Sequence, residues 1–84
     1  MEHKITVKLF SIDRGLRTME HQKLVRIKSK DHNLLIMEDH MPVMGELDGS
    51  LEVVGEDTQE ILEHVQGVYM HSDNTFEFLE KQKA

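Results

Sequence analysis

The amino-acid sequence predicts an all-β fold, a small β-sandwich or barrel, and three observations carry that reading. Short stretches of alternating polar and apolar residues recur between turn formers, at the spacing of about eight to twelve residues that such folds show. Only Asp57–Gly67 carries apolar residues at helical spacing, so no long helix is required. At 84 residues and 9.8 kDa the chain is expected to form one domain over residues 1–84, because so short a chain buries only about 60–65% of the surface its unfolded form exposes.

Lys4-Ile5-Thr6-Val7-Lys8-Leu9 alternates at period two and directs Ile5, Val7 and Leu9 to one face. Ser11-Ile12-Asp13-Arg14-Gly15 breaks the pattern with turn formers. Lys23–Lys28 is a second strand with Val25 and Ile27 on a common face, followed by a polar turn at Ser29–Asn33. Leu34-Leu35-Ile36-Met37 is an apolar run too short for a helix, and it reads as a strand buried on both faces. Pro42, the only proline, holds Met41 out of helical geometry. Asp48-Gly49 reads as a turn between Val43-Met44 and the strand Ser50–Val54, which Gly55-Glu56-Asp57 closes. Over Asp57–Gly67 local rules favour a helix: Thr58 can cap it, Ile61, Leu62 and Val65 share a stripe, and Gly67 can stop it. The competing reading is a strand at Ile61–Val65 with Gly67 at a bulge or close approach. Val68–His71 and Thr75–Leu79 then form a hairpin about Ser72-Asp73-Asn74, with Phe76 and Phe78 on one face, and Glu80–Ala84 is a polar end.

The absence of cysteine removes disulfides, thiolate catalysis and zinc–thiolate sites. No stretch approaches the roughly 20 apolar residues of a membrane helix, and Met1–Leu9 lacks the unbroken apolar run of a signal peptide, so a cytoplasmic chain is expected. The net charge of −6 is uneven: residues 1–36 carry eight Lys/Arg against four Asp/Glu, whereas residues 37–84 carry two against twelve. Such a dipole suits electrostatic docking to a charged protein surface, with two independently solvated faces as the plainer alternative. Nucleic acid is not an expected partner, because phosphate neutralisation needs a net basic footprint. Without a glycine-rich phosphate loop, a nucleophile elbow or a paired-carboxylate site, no catalytic residue and no cofactor are expected. The histidines (His3, His21, His32, His40, His64, His71) show neither His-x-His nor His-x-x-x-His spacing, and no metal site is expected. Met37 and Met70 are expected in the core, while Met41 and Met44 are left open.

The segment Leu34-Leu35-Ile36-Met37-Glu38-Asp39-His40-Met41-Pro42-Val43-Met44-Gly45-Glu46-Leu47-Asp48-Gly49 resembles part of the epsilon subunit of F-type ATP synthases. There a strand leads into a Gly-His-x-Pro loop, two apolar residues and a Pro-Gly turn. His40, Pro42, Gly49 and Gly67 coincide with the family's characteristic letters, while Asp39 stands where the family has glycine and Val68 where it has the second of a glycine pair. The resemblance covers the N-terminal domain of that subunit and implies a β-sandwich of about ten short strands, with Ile61–Val65 as strand. It implies a non-catalytic rotor-stalk subunit that docks on the gamma subunit and the c-ring, helps couple proton or sodium-ion transport to ATP synthesis, and meets the membrane only through the complex, on its cytoplasmic side. His40, Met41 and Pro42 would form the loop facing the ring, with Asn33 oriented toward it as well. With the chain ending at Ala84, the family's C-terminal helical hairpin has no residues here, so neither self-inhibition nor ATP binding is expected. The alternative is a free-standing epsilon-like module that binds another protein.

Overall fold

The structure, a computed structural model, describes residues 3–81. These residues form seven strands and no helix: β1 (Ile5–Ser11), β2 (Gly15–Gln22), β3 (Leu24–Ser29), β4 (Asn33–Ile36), β5 (Val43–Val54), β6 (Gln59–Ser72) and β7 (Thr75–Glu80). They make one mixed sheet of order β2-β1-β7-β6-β5-β3-β4. All neighbours are antiparallel except β1 and β7.

The long β5–β6 hairpin organises the fold, because its two ends serve different neighbours. Strand β7 pairs with Gly67–Ser72 of β6, whereas β3 pairs with Gly49–Val54 of β5. The first end therefore continues into β7, β1 and β2, and the second into β3 and β4. Between them the chains approach so closely that a Cβ at Gly49 would overlap the Lys28 carbonyl oxygen, and one at Gly67 the Leu79 carbonyl oxygen. Only glycine fits such a crossing. Ile5, Val7, Tyr69, Phe76 and Phe78 from one half and Val25, Ile27, Ile36, Leu51 and Val53 from the other form a single buried cluster. Among the described residues no helix covers either half, so these side chains reach full burial by facing one another, as the layers of a sandwich do.

Left-handed residues set the turns and one change of phase. Asp73 (φ 48°) and Asn74 (φ 58°) form the two-residue turn between β6 and β7, both with the positive φ of a type I′ turn. His64 (φ 58°) lies where the β5–β6 register shifts, so that β6 carries one extra residue there. Before it Leu62 packs against the core; after it Val65, Gly67, Tyr69 and His71 are the buried positions.

The all-β expectation holds, and Asp57–Gly67 is strand from Gln59 onward rather than helix. Pairing with Leu51–Val54 and the burial of Val65 outweigh a weak local propensity. The separate short segments merge: Asp48-Gly49 is no turn but the interior of β5, at the bend. The Leu34–Met37 run is not buried on both faces, because β4 is an edge strand with Leu35 and Met37 exposed. Met70 is exposed on the outer side of β6 and so, like Met37, lies outside the core. Strand β2, unassigned from the sequence, pairs along β1 despite an almost wholly exposed surface. Of the polar end, residues 82–84 lie outside the described residues.

Candidate functional site

The loop between β4 and β5 carries His40, Met41 and Pro42 at one end of the sandwich. It turns at Met37–His40, where the His40 N–H donates to the Met37 carbonyl at 3.2 Å, and Asp39 adopts φ 62°. That left-handed backbone is open to glycine and tolerated by aspartate, so the change of residue at this position leaves the turn intact. Asp39 is tied to the β6–β7 turn: its N–H donates to Asn74 Oδ1 at 2.7 Å, and Asn74 Nδ2 donates back to Asp39 Oδ1 at 3.2 Å. Asn74 also accepts the Thr6 N–H at 2.9 Å through its carbonyl, which joins β1 to the same point. Glu38 accepts the Lys4 N–H at 3.1 Å and lies 3.6 Å from His3, whose ring also bonds Glu56.

On this frame Met41 is 72% exposed and Pro42 is exposed beside it. The half-buried His40 donates from Nδ1 to the Met41 carbonyl at 2.7 Å, which leaves Nε2 unengaged by that bond. Its ring meets His71 edge to face, with centroids 5.9 Å apart and planes at 80°. His71 is fully buried, and burial first, then the neighbouring His40, hold its pKa below the ordinary 6.5. Beyond it the rings continue through Phe76 and Tyr69 to His32, whose Nε2 shares a 3.0 Å hydrogen bond with the Tyr69 hydroxyl. Burial raises the Tyr69 pKa, so the phenol stays neutral. Asn33 is exposed at the other end of β4, paired with Lys28, and the structure does not bring it together with the His40 loop.

The sequence reading missed a second surface. On the outer side of the first layer, register places Leu16 beside Phe10, Phe10 beside Leu79 and Leu79 beside Val68. Met70 follows on β6, and Met44 lies across from it on β5. All six are exposed, Met44 by 71%. They form an apolar band across five strands, about 19 Å wide at the usual strand spacing. Lys8 and Glu77, mutually in register, border it on one side, and Glu46 stands beside Val68. A signal was present: Val68-Tyr69-Met70 and Phe78-Leu79 are apolar in both phases of the alternation, whereas a strand with one wet face is apolar in one.

Three ion pairs link the two differently charged parts of the chain. Arg17 pairs with Glu60 (2.6 Å and 2.9 Å, bidentate), Arg26 with Glu52 (2.8 Å) and Lys30 with Asp48 (3.2 Å), each joining the basic first part of the chain to its acidic remainder. Hydrogen bonding to Arg17 is the largest cause that lowers the Glu60 pKa below 4.5 and raises that of Arg17. The pair's contribution is present above pH 4.5 and is lost as pH falls through the lowered Glu60 pKa. Both side chains are more than one-third exposed, and screening limits the pair to about 0.2–1 kcal/mol. Arg17→Leu is therefore expected to lower the urea-unfolding free energy at pH 7 by no more than that, with the difference shrinking as pH falls below 4.5 and through the lowered Glu60 pKa.

No protein-family model matches the chain, and no curated protein matches it by sequence. Among solved structures it is similar to a chain in the cryo-EM structure of the Tetrahymena thermophila mitochondrial ATP synthase central stalk and c-ring, with a TM-score of 0.76 and 19% sequence identity. The likeness covers 96% of this chain and 66% of that one, so this chain spans just under two thirds of its neighbour's length. What it shows is the fold, an all-β arrangement found in the ATP synthase stalk and in agreement with the epsilon N-terminal domain that Leu34–Gly49 resembles.

Proposed function

We propose that this chain is a non-catalytic rotor-stalk module of a rotary F-type ATP synthase, docking on the gamma subunit and on the c-ring to help couple ion transport to ATP synthesis. The observation that carries the reading is the exposed apolar band on a fold shared with a chain of an ATP synthase central stalk and c-ring assembly. Apolar patches of this extent mark docking surfaces, because leaving them in water costs free energy that a partner recovers. In this arrangement the band takes the gamma shaft, and the His40–Met41–Pro42 loop at the end of the sandwich meets the polar loops of the ring. The chain is then peripheral, held to the cytoplasmic side of the membrane by the complex. No helix among the described residues is long and apolar enough to cross a membrane.

The test is a pull-down of the tagged chain from its native membranes, with mass spectrometry of the eluate. Gamma and the catalytic subunits are expected. Their absence would leave the second reading, a free-standing module for another protein, which the apolar band accommodates equally well. His40→Ala combined with Pro42→Ala is expected to weaken rotor association about tenfold while shifting the melting temperature little, since Pro42 is exposed and His40 half-buried. Unchanged co-purification would remove the loop from the interface.

A further inference from the structure

His71 presents a contradiction that the docking reading does not use. It is fully buried on β6, and neither Nδ1 nor Nε2 has a hydrogen-bond partner among the described residues. Buried polar atoms are rarely left so, and each such group calls for a reason. A neutral imidazole is tolerated in this place; an imidazolium, with two N–H donors, is not.

Among the described residues the surroundings offer it no counter-charge. Its register partners are Val43 on β5 and Phe76 on β7, and its neighbour along the inner side of β6 is Tyr69. Glu46 and Glu77 alternate to the outer face of those strands. From the loop the facing group is His40, another imidazole and not an anion. Asp39 is engaged with Asn74, Glu38 with Lys4 and His3, and Asp73 is exposed in the turn.

We infer that loop 37–42 is an acid-released latch: protonation of His71 lifts the loop from the end of the sandwich and lets water reach the ring, while the rest of the sheet stays paired. The loop is the weakest cover over His71, since the Asp39–Asn74 contacts that pin it are exposed, whereas the other neighbours belong to paired strands. The sign follows from linkage. The closed form binds fewer protons, because burial and His40 hold the His71 pKa below 6.5, so closure is secure above about pH 6.5 and weakens as pH falls below it. The latch is independent of what the loop docks on. His3 lies 3.6 Å from Glu38 and is a second contact on the loop, so the decisive comparison is between variants at His71.

Amide hydrogen exchange of the full chain, corrected for intrinsic rates, tests this at pH 7.5 and 5.5. Protection of the Asp39 and His40 amides is expected to fall about tenfold, the factor by which an open form titrating near 6.5 gains at one unit lower pH. Core amides such as Leu51 keep their protection. In His71→Phe, which retains an aromatic ring and removes the titration, loop protection is expected to change less than twofold. Equal loss of protection in the wild type and His71→Phe, or no loss in either, overturns the latch. If His71→Phe does not fold, the His71 ring titration followed by NMR in the wild type replaces it. A midpoint shared with the loop amide shifts supports the latch, and separate midpoints overturn it.

Discussion

Gly67→Val is expected to abolish folding, and Gly67→Ala to remove about 3 kcal/mol or more, at the upper end of what overpacking a close contact costs. The added Cβ would overlap the carbonyl oxygen of Leu79 and stand 2.9 Å from Phe78 Cε1 and 3.0 Å from the Glu80 Cα. Two of these three atoms are backbone of β7, which cannot swing aside as a side-chain tip can. Moving β7 would also break its pairing with β6 on one side and β1 on the other. A small domain has a total stability of about 5–15 kcal/mol, so the loss is a large fraction of the whole. Gly49→Ala is expected to behave alike, for the Lys28 carbonyl oxygen blocks it. Thr18→Ala on the exposed β2 should stay within about 0.5 kcal/mol. Urea unfolding by circular dichroism measures all four; a Gly67→Ala chain as stable as the wild type would mean that β6 and β7 do not cross this closely.

The bend at these glycines also explains what the sequence conceals. Ile5, Val7, Val25, Ile27, Phe76 and Phe78 were legible as inward residues because strict alternation reports a strand with one wet face. Asp48-Gly49 misled for the reason that glycine there serves a bend inside a strand, and a turn and a bend ask for the same residue. Asp57–Gly67 misled through its bulge. The extra residue at His64 moves the next buried position from 64 to 65, so Leu62 and Val65 stand three apart, a helical interval produced by a strand that changes phase. Strand β2 was hidden because an edge strand with little burial needs no hydrophobic pattern. The His40–Pro42 loop could be read from its letters, yet its contact with His71 could not. That contact depends on the β6–β7 turn reaching back to Asp39 across 35 positions of sequence.

Val68→Lys combined with Leu79→Lys is expected to leave the fold in place and to abolish association with the stalk. Both residues are exposed neighbours in the outer register of β6 and β7, and both lie near the middle of the band. Each is already about half covered in the isolated chain and the two lysines would stand opposite one another, so a stability loss of about 1–2 kcal/mol is expected, the span of strand propensity at two positions. In a complex the same positions are central, where the few residues that dominate binding contribute about 2 kcal/mol or more and an unpaired ammonium is costly to desolvate. A loss of thirtyfold or more in affinity for the purified stalk is expected, since about 1.4 kcal/mol is a factor of ten. Thr18→Lys, on the same side beside Lys8 but off the band, should bind as the wild type does. The comparison separates the band from general charge effects, because both variants add lysine to one face. Full binding by the Val68→Lys, Leu79→Lys chain would remove the band from the interface and leave the His40 loop to hold the stalk alone. Lost binding by a variant that still unfolds cooperatively would instead make the band the principal anchor, with the loop setting orientation against the ring.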